Sequence, residues 1–229
     1  RPADMINRVL LALACVLLAV RLPSLVQPMG ADQGLYAYIG ERIRSGAVPY
    51  RDAWDQKPPA IHVTYAVMRA VLPRDAAVPA ADLMVAALIA ILLWQLGGAL
   101  GAPFVGPWAA VVFLFLSNPA FARLGGVSVR AQCETFIAVA VTAAFVCLAR
   151  SRKSRKPTAM YLIAGALFGI AFAFKYNAIA YVLAGLFALL VWRRLTVRSI
   201  LWMGVGFLAP VALFALWFAI AHGLGDLYD

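Results

Sequence analysis

Between Leu83 and Ala122 the chain runs for 40 residues without one charged side chain. That is about twice the ~20 residues a helix needs to cross the hydrocarbon core of a bilayer, so the stretch reads as two spans. The run GGALGAPFVGP near its middle supplies the break, since glycine and proline interrupt helices, and the pair is expected to form a helical hairpin. The pattern recurs from Pro157 to Trp192, 36 residues whose single charge, Lys175, lies near the centre in Lys175-Tyr176-Asn177, where a second hairpin would turn. Single spans are expected at about Asn7 to Val26, where Arg21 is close enough to the end to snorkel, at Gln132 to Ala149, whose only formal charge is Glu134, and at Ser199 to Ala221. The fold class is therefore an all-α polytopic membrane bundle of about seven spans. Composition agrees, because a chain that is 64% hydrophobic with a mean hydropathy of +0.86 has more apolar surface than one water-soluble core can cover.

The formal charge of +10 does not point to nucleic acid. Arg150, Arg152, Lys153, Arg155 and Lys156 fall together, and Arg193, Arg194 and Arg198 form a second cluster. Both sit in short segments between apolar runs, the signature of cytoplasmic loops rather than of a binding face. Taking them as cytoplasmic orients every other segment. Residues 26–79 become a first external loop, 117–131 a second, and Lys175 lies outside with them. Cys15, Cys133 and Cys147 are odd in number and have neither a disulfide nor a metal-ligand spacing, so they read as packing residues. A first residue other than Met and a polar end at Asp229 suggest the N-terminal membrane portion of a longer protein.

The one long polar interval, Gly30 to Pro59, holds Asp32, Glu41, Asp52 and Asp55, four of the ten acidic residues. Asp32 precedes a segment with Leu35, Ile39 and Ile43 on one helical face and Gly46 as a stop. The simpler role for Asp32 is a helix cap, and a capping carboxylate can also act as a base. Pro58-Pro59 then starts a second helix over Ala60 to Leu72, with Ile61, Tyr65, Met68 and Leu72 on its apolar side and His62 and Arg69 on another. Its length of about 20 Å is short for a span, so it is expected to lie at the interface, His62 serving as an interfacial polar residue. Trp54, Tyr36, Tyr38 and Tyr50 read as headgroup-level anchors. With this helix interfacial, Asp32, Asp55, Lys57, Arg123, Arg130, Glu134 and Lys175 fall on one face of the membrane from four separate parts of the chain. Ionisable groups at membrane depth are costly without a cavity or a partner, which favours a functional role for Glu134 and Lys175.

These residues resemble the bacterial membrane glycosyltransferases of the GT-C class, of the protein O-mannosyltransferase and lipid A aminoarabinose transferase type (glycosyltransferase family 39). The resemblance rests on Asp32-Gln33-Gly34-Leu35-Tyr36 after the first span, and on Pro49-Tyr50-Arg51-Asp52-Ala53-Trp54-Asp55-Gln56-Lys57-Pro58-Pro59. Weaker echoes are Glu134 at the start of a span and Gly165-Ala166-Leu167-Phe168-Gly169 leading to Lys175. Many relatives carry Asp-Glu where this chain has Asp32-Gln33, Asp where it has Glu134, and are about twice as long. The resemblance implies a GT-C-like helix bundle in the bacterial inner membrane with its active site outside. The implied reaction moves a sugar, with inversion, from a polyprenyl-phosphate donor to a hydroxyl of a glycan, lipid or protein acceptor. Asp32 would be the general base, with Asp55, Lys57, Arg130, Glu134 and Lys175 in contact with substrates. A divalent metal held by Asp32 and Glu134 is a further option, as the class includes metal-dependent and metal-independent members. Rival readings are a transporter or lipid flippase, which would place charges at the midplane in repeated halves, and a non-catalytic assembly subunit.

Overall fold

The computed structural model describes residues 2–72 and 75–227, and among these all regular structure is helical. The first helix, α1 (Pro2–Ala19), is followed by a 3-10 turn at Leu22–Val26. The polar interval folds into α2 (Ala31–Arg44) and α3 (Ala60–Val71). Then come α4 (Ala77–Leu100), α5 (Val105–Leu116), α6 (Cys133–Ser151), α7 (Thr158–Phe174), α8 (Ile179–Val191) and α9 (Val197–Ile220). Both expected hairpins are present. The first turns at Gly101, whose φ of +82° suits glycine, so the helix runs on through Gly97 and Gly98 before it breaks. The second turns at Lys175, whose extended backbone ends α7.

Among the described residues four segments are long and apolar enough to cross a bilayer: Met5–Val26, Ala77–Leu100, Cys133–Ser151 and Val197–Ile220. Four other apolar helices, Ala60–Val71, Val105–Leu116, Thr158–Phe174 and Tyr176–Val191, are shorter. Large apolar side chains such as Leu183, Phe187, Leu213 and Ile220 stand exposed along these helices, which suits lipid as the surrounding solvent.

Helix α2 buries Gln33, Tyr36, Ala37, Ile39 and Gly40, a face turned away from the expected one, since Leu35 is exposed. Gly46 does end it, at φ +89°, with the Ala47 amide returning to the Arg42 carbonyl.

The tightest packing joins α7 to α9. A Cβ on Gly165 would stand 2.1 Å from the Met203 carbonyl oxygen, on Gly169 2.3 Å from that of Phe207, and on Gly206 2.0 Å from that of Leu162. The two helices therefore run parallel with their backbones in contact, as small residues permit in apolar surroundings. Gly206→Ala should force them apart and lower stability by about 1–3 kcal/mol, whereas Gly204→Ala, with nothing within 4 Å of its Cβ, should shift the thermal midpoint much less.

Candidate active site

The loops at one end of the bundle are stitched together by buried polar contacts. Arg21 does not snorkel: it is 2% exposed and donates to Asp82 Oδ2 at 2.8 Å and to the Ser117 carbonyl at 2.7 Å. The other carboxylate oxygen of Asp82 accepts from the Ala131 amide at 2.8 Å. One ion pair thus joins the ends of α1, α4 and α5 to the loop before α6. In the sequence Asp82 stands just before the charge-free run at Leu83, where it looks like the edge of a loop and gives no sign of a buried partner.

Gln33 and Arg130 form a second junction. Gln33 is fully buried, and its amide donates at 2.6 Å to the carbonyls of both Val127 and Arg130. Its oxygen accepts from the Gly30 amide at 3.0 Å and from Arg130 Nη2 at 3.1 Å. All four hydrogen-bonding positions are filled, and the helix start is held by Gln33 from within rather than by a cap at Asp32. A carboxylate here would have no hydrogens for the two carbonyls. Arg130 was expected to meet a substrate anion, but it turns inward. Its terminal nitrogens reach the carbonyls of Ser24 and Pro28 as well as Gln33, and it is fully buried.

The segment before α3 is held by a third set of contacts. Asp55, expected in a substrate contact, is 7% exposed and meets His62 Nε2 at 2.9 Å. His62 is wholly buried on α3 rather than interfacial. Two residues beyond Asp55, the Lys57 carbonyl accepts from the Tyr50 hydroxyl at 2.7 Å. The Tyr50 ring stacks on Phe218 of α9, centroids 5.8 Å apart, and stands edge-on to His62. Tyr36 packs edge-on to Tyr65 and His62, so the expected aromatic anchors divide: Trp54 and Tyr38 are exposed, Tyr36 and Tyr50 face inward.

Burial lowers the pKa of His62 below its ordinary 6.5, with the Asp55 hydrogen bond and charge acting the other way. A histidine lowered in the fold holds fewer protons than the unfolded chain between the folded value and 6.5, so stability is lost as pH falls through that window. The thermal midpoint should therefore drop from pH 7.5 to pH 5.5, and His62→Asn should flatten that dependence.

Around these braces stand the remaining charged residues. Asp32 is exposed in the first turn of α2, one turn before Tyr36. Burial, the neighbouring Cys133 and the negative charges of Asp32 and Asp55 together push the Tyr36 hydroxyl well above its usual pKa. Tyr36 and Cys133, the residue before Glu134, belong to one buried cluster. Glu134 is paired with Lys175, and half-buried Lys57 lies within electrostatic reach of both Glu134 and Cys133. Arg123 stands apart in a shallow surface depression with Phe115 and Phe121.

Glu134 lies where two clefts meet. One, of about 440 Å³, runs between α6 and α8 from Glu134, Lys175 and Asn177 at its polar end to Ile137, Val141 and Tyr181. The other, of about 340 Å³, lies on the opposite flank of α6 and is lined by Asp82, Phe113, Leu116 and Thr135. Both are open troughs with mainly apolar walls, a shape that suits a chain carrying a charged head. Among the described residues no three His, Cys, Asp or Glu side chains group as metal ligands. Asp32 and Glu134, the second already paired with Lys175, offer fewer oxygens than a divalent ion usually takes, so they do not by themselves fit a metal site. Compared with protein-family models, with curated proteins and with solved structures, the chain matches none.

Proposed function

We propose that this chain carries the catalytic end of a polyprenyl-phosphate-dependent inverting glycosyltransferase of the GT-C class. The observation that carries the reading is the meeting of Glu134 and Lys175 at the mouth of an apolar trough, with Lys57 in electrostatic reach and Asp32 on the adjoining helix. A prenyl chain fits the apolar wall between α6 and α8, and its phosphate comes to rest by Lys175 and Lys57.

The chemistry balances on these groups. The acceptor oxygen attacks the anomeric carbon as the bond from that carbon to the phosphate oxygen breaks. The hydroxyl proton passes to Asp32, and the electron pair leaves with the lipid phosphate. A phosphate departs as a stable anion, so no general acid is needed. The cations of Lys57 and Lys175 offset the charge that develops on it. Glu134 holds Lys175 in the empty site and orients the acceptor as the phosphate takes its place. No step is routed through a metal.

In the membrane, α5, α7 and α8, which unlike α3 carry no charged side chain, join the four longer helices as spans, giving seven. The site end faces outside the bacterial inner membrane and the basic loops face the cytoplasm.

The test is transfer of radiolabelled sugar from polyprenyl-phosphate donors by the full-length protein in vesicles, with α- and β-linked products separated. Lys175→Met should raise the donor KM by at least about tenfold, as expected when a charge-assisted contact of roughly 1.5–3 kcal/mol is removed. Turnover that vanishes with a chelator and returns with Mg²⁺ or Mn²⁺ would require a metal in the scheme. Absence of transfer from every donor sugar tried would count against the reading.

A further inference from the structure

The far end of the bundle has a different character, and α6, 19 residues and so about 28 Å long, separates it from the site. The turn between α6 and α7 and the turn between α8 and α9 meet there. Arg194 Nη2 donates to the Arg152 carbonyl at 2.8 Å, and the Arg152 guanidinium lies 5.1 Å from the centre of the Trp192 ring. Beneath them Trp192 and Leu195 pack on a core that includes Leu148, Tyr161 and Met203, so the two turns form one fixed surface. Arg150, Lys153, Arg155, Lys156, Arg193, Arg194 and Arg198 stand exposed on it, and among the described residues none of the seven pairs with an acid.

The rim of this surface decides what it meets. Val191, Val197 and Leu201 are 61%, 74% and 61% exposed, directly beside Arg193, Arg194 and Arg198. A soluble polyanion would match the cations and leave this apolar rim uncovered. An anionic phospholipid matches both, because its phosphate is joined to acyl chains that lie along the helices.

We propose that the joined α6–α7 and α8–α9 turns form a binding surface for the phosphate headgroups of anionic phospholipids. Cationic side chains near an anionic leaflet gain attraction that salt screens, and here the bridge between the turns holds the cations together in advance.

The experiment uses the full-length protein in nanodiscs of equal parts phosphatidylglycerol and phosphatidylcholine, followed by detergent extraction and counting of retained lipid by native mass spectrometry. Phosphatidylglycerol should be retained at least about fivefold over phosphatidylcholine at low salt, and the preference should shrink in 0.5 M NaCl. Arg193→Gln with Arg194→Gln and Arg198→Gln should bring the ratio close to one, while Arg42→Gln with Arg44→Gln should leave it unchanged. Arg193→Lys with Arg194→Lys and Arg198→Lys keeps the charge and should keep the preference, which guards against misfolding of the glutamine variant. Equal retention of the two lipids by the wild type would overturn the proposal. So would heparin binding as tight in phosphatidylglycerol discs as in phosphatidylcholine discs, because the surface would then be open to a soluble partner.

Discussion

Asp32→Asn is expected to reduce sugar transfer by about 10²–10⁴-fold, the range over which a positioned general base acts. The substitution preserves shape and removes only the ability to accept a proton. Asp32 is exposed, and the start of α2 is held by Gln33 and Arg130 instead, so the fold should survive the change. Loss of the favourable charge at the helix start should cost only about 0.3–1 kcal/mol. Donor binding depends on Lys57 and Lys175 in the proposed scheme, so KM for the donor should move little while kcat collapses. The check is a full kinetic comparison with the circular dichroism and thermal midpoint of each protein alongside. Transfer at the wild-type rate by Asp32→Asn would remove Asp32 from the role of base.

The largest effect on stability should come from Asp82→Ala. It leaves the guanidinium of Arg21 buried at 2% exposure without its counter-charge, and leaves the Ala131 amide without an acceptor. Breaking a buried pair by removing one partner typically costs about 3–5 kcal/mol. The thermal midpoint and the yield of folded protein should both fall sharply. Replacing both partners, Arg21→Met with Asp82→Leu, should recover much of the loss, because no charge is then stranded. The double variant melting no higher than Asp82→Ala would mean that the pair contributes geometry that apolar packing cannot replace.

Hydropathy made the helices legible. The turn at Lys175 and the short amphipathic helices before α4 were readable, since a charge in an apolar run and a helix too short to span are local features. Positive-inside counting put Asp32, Asp55, Lys57, Arg123, Arg130, Glu134 and Lys175 on one face; of these Glu134 pairs with Lys175 and Lys57 lies within electrostatic reach, whereas Asp55 and Arg130 turn inward and Arg123 stands apart.

The polar interior was not legible, for a physical reason. A buried polar side chain is tolerable only because of partners that lie far away in sequence, and a local pattern does not reveal them. Gln33 turns inward on a face of α2 rotated from the aliphatic one, because carbonyls 94 and 97 residues later satisfy its amide. Arg130 and Asp55 bear the charges expected of substrate contacts, yet loop carbonyls and His62 hold them inside. Arg21 looked free to reach water only while Asp82 was unseen.

The Arg21–Asp82 pair also bears on how the protein is made. Its partners are 61 residues apart, and Ser117, which completes the cradle, lies 96 residues beyond Arg21. At about 5–20 residues per second, a ribosome takes roughly 3–12 s to supply Asp82 after Arg21 and longer to supply Ser117. Through that interval the first helix carries a cation with nowhere dry to go, so it must wait with Arg21 in the headgroup layer. This helix is thus made before the groups that seat it, and its final seat is drawn up only when α4 and α5 arrive.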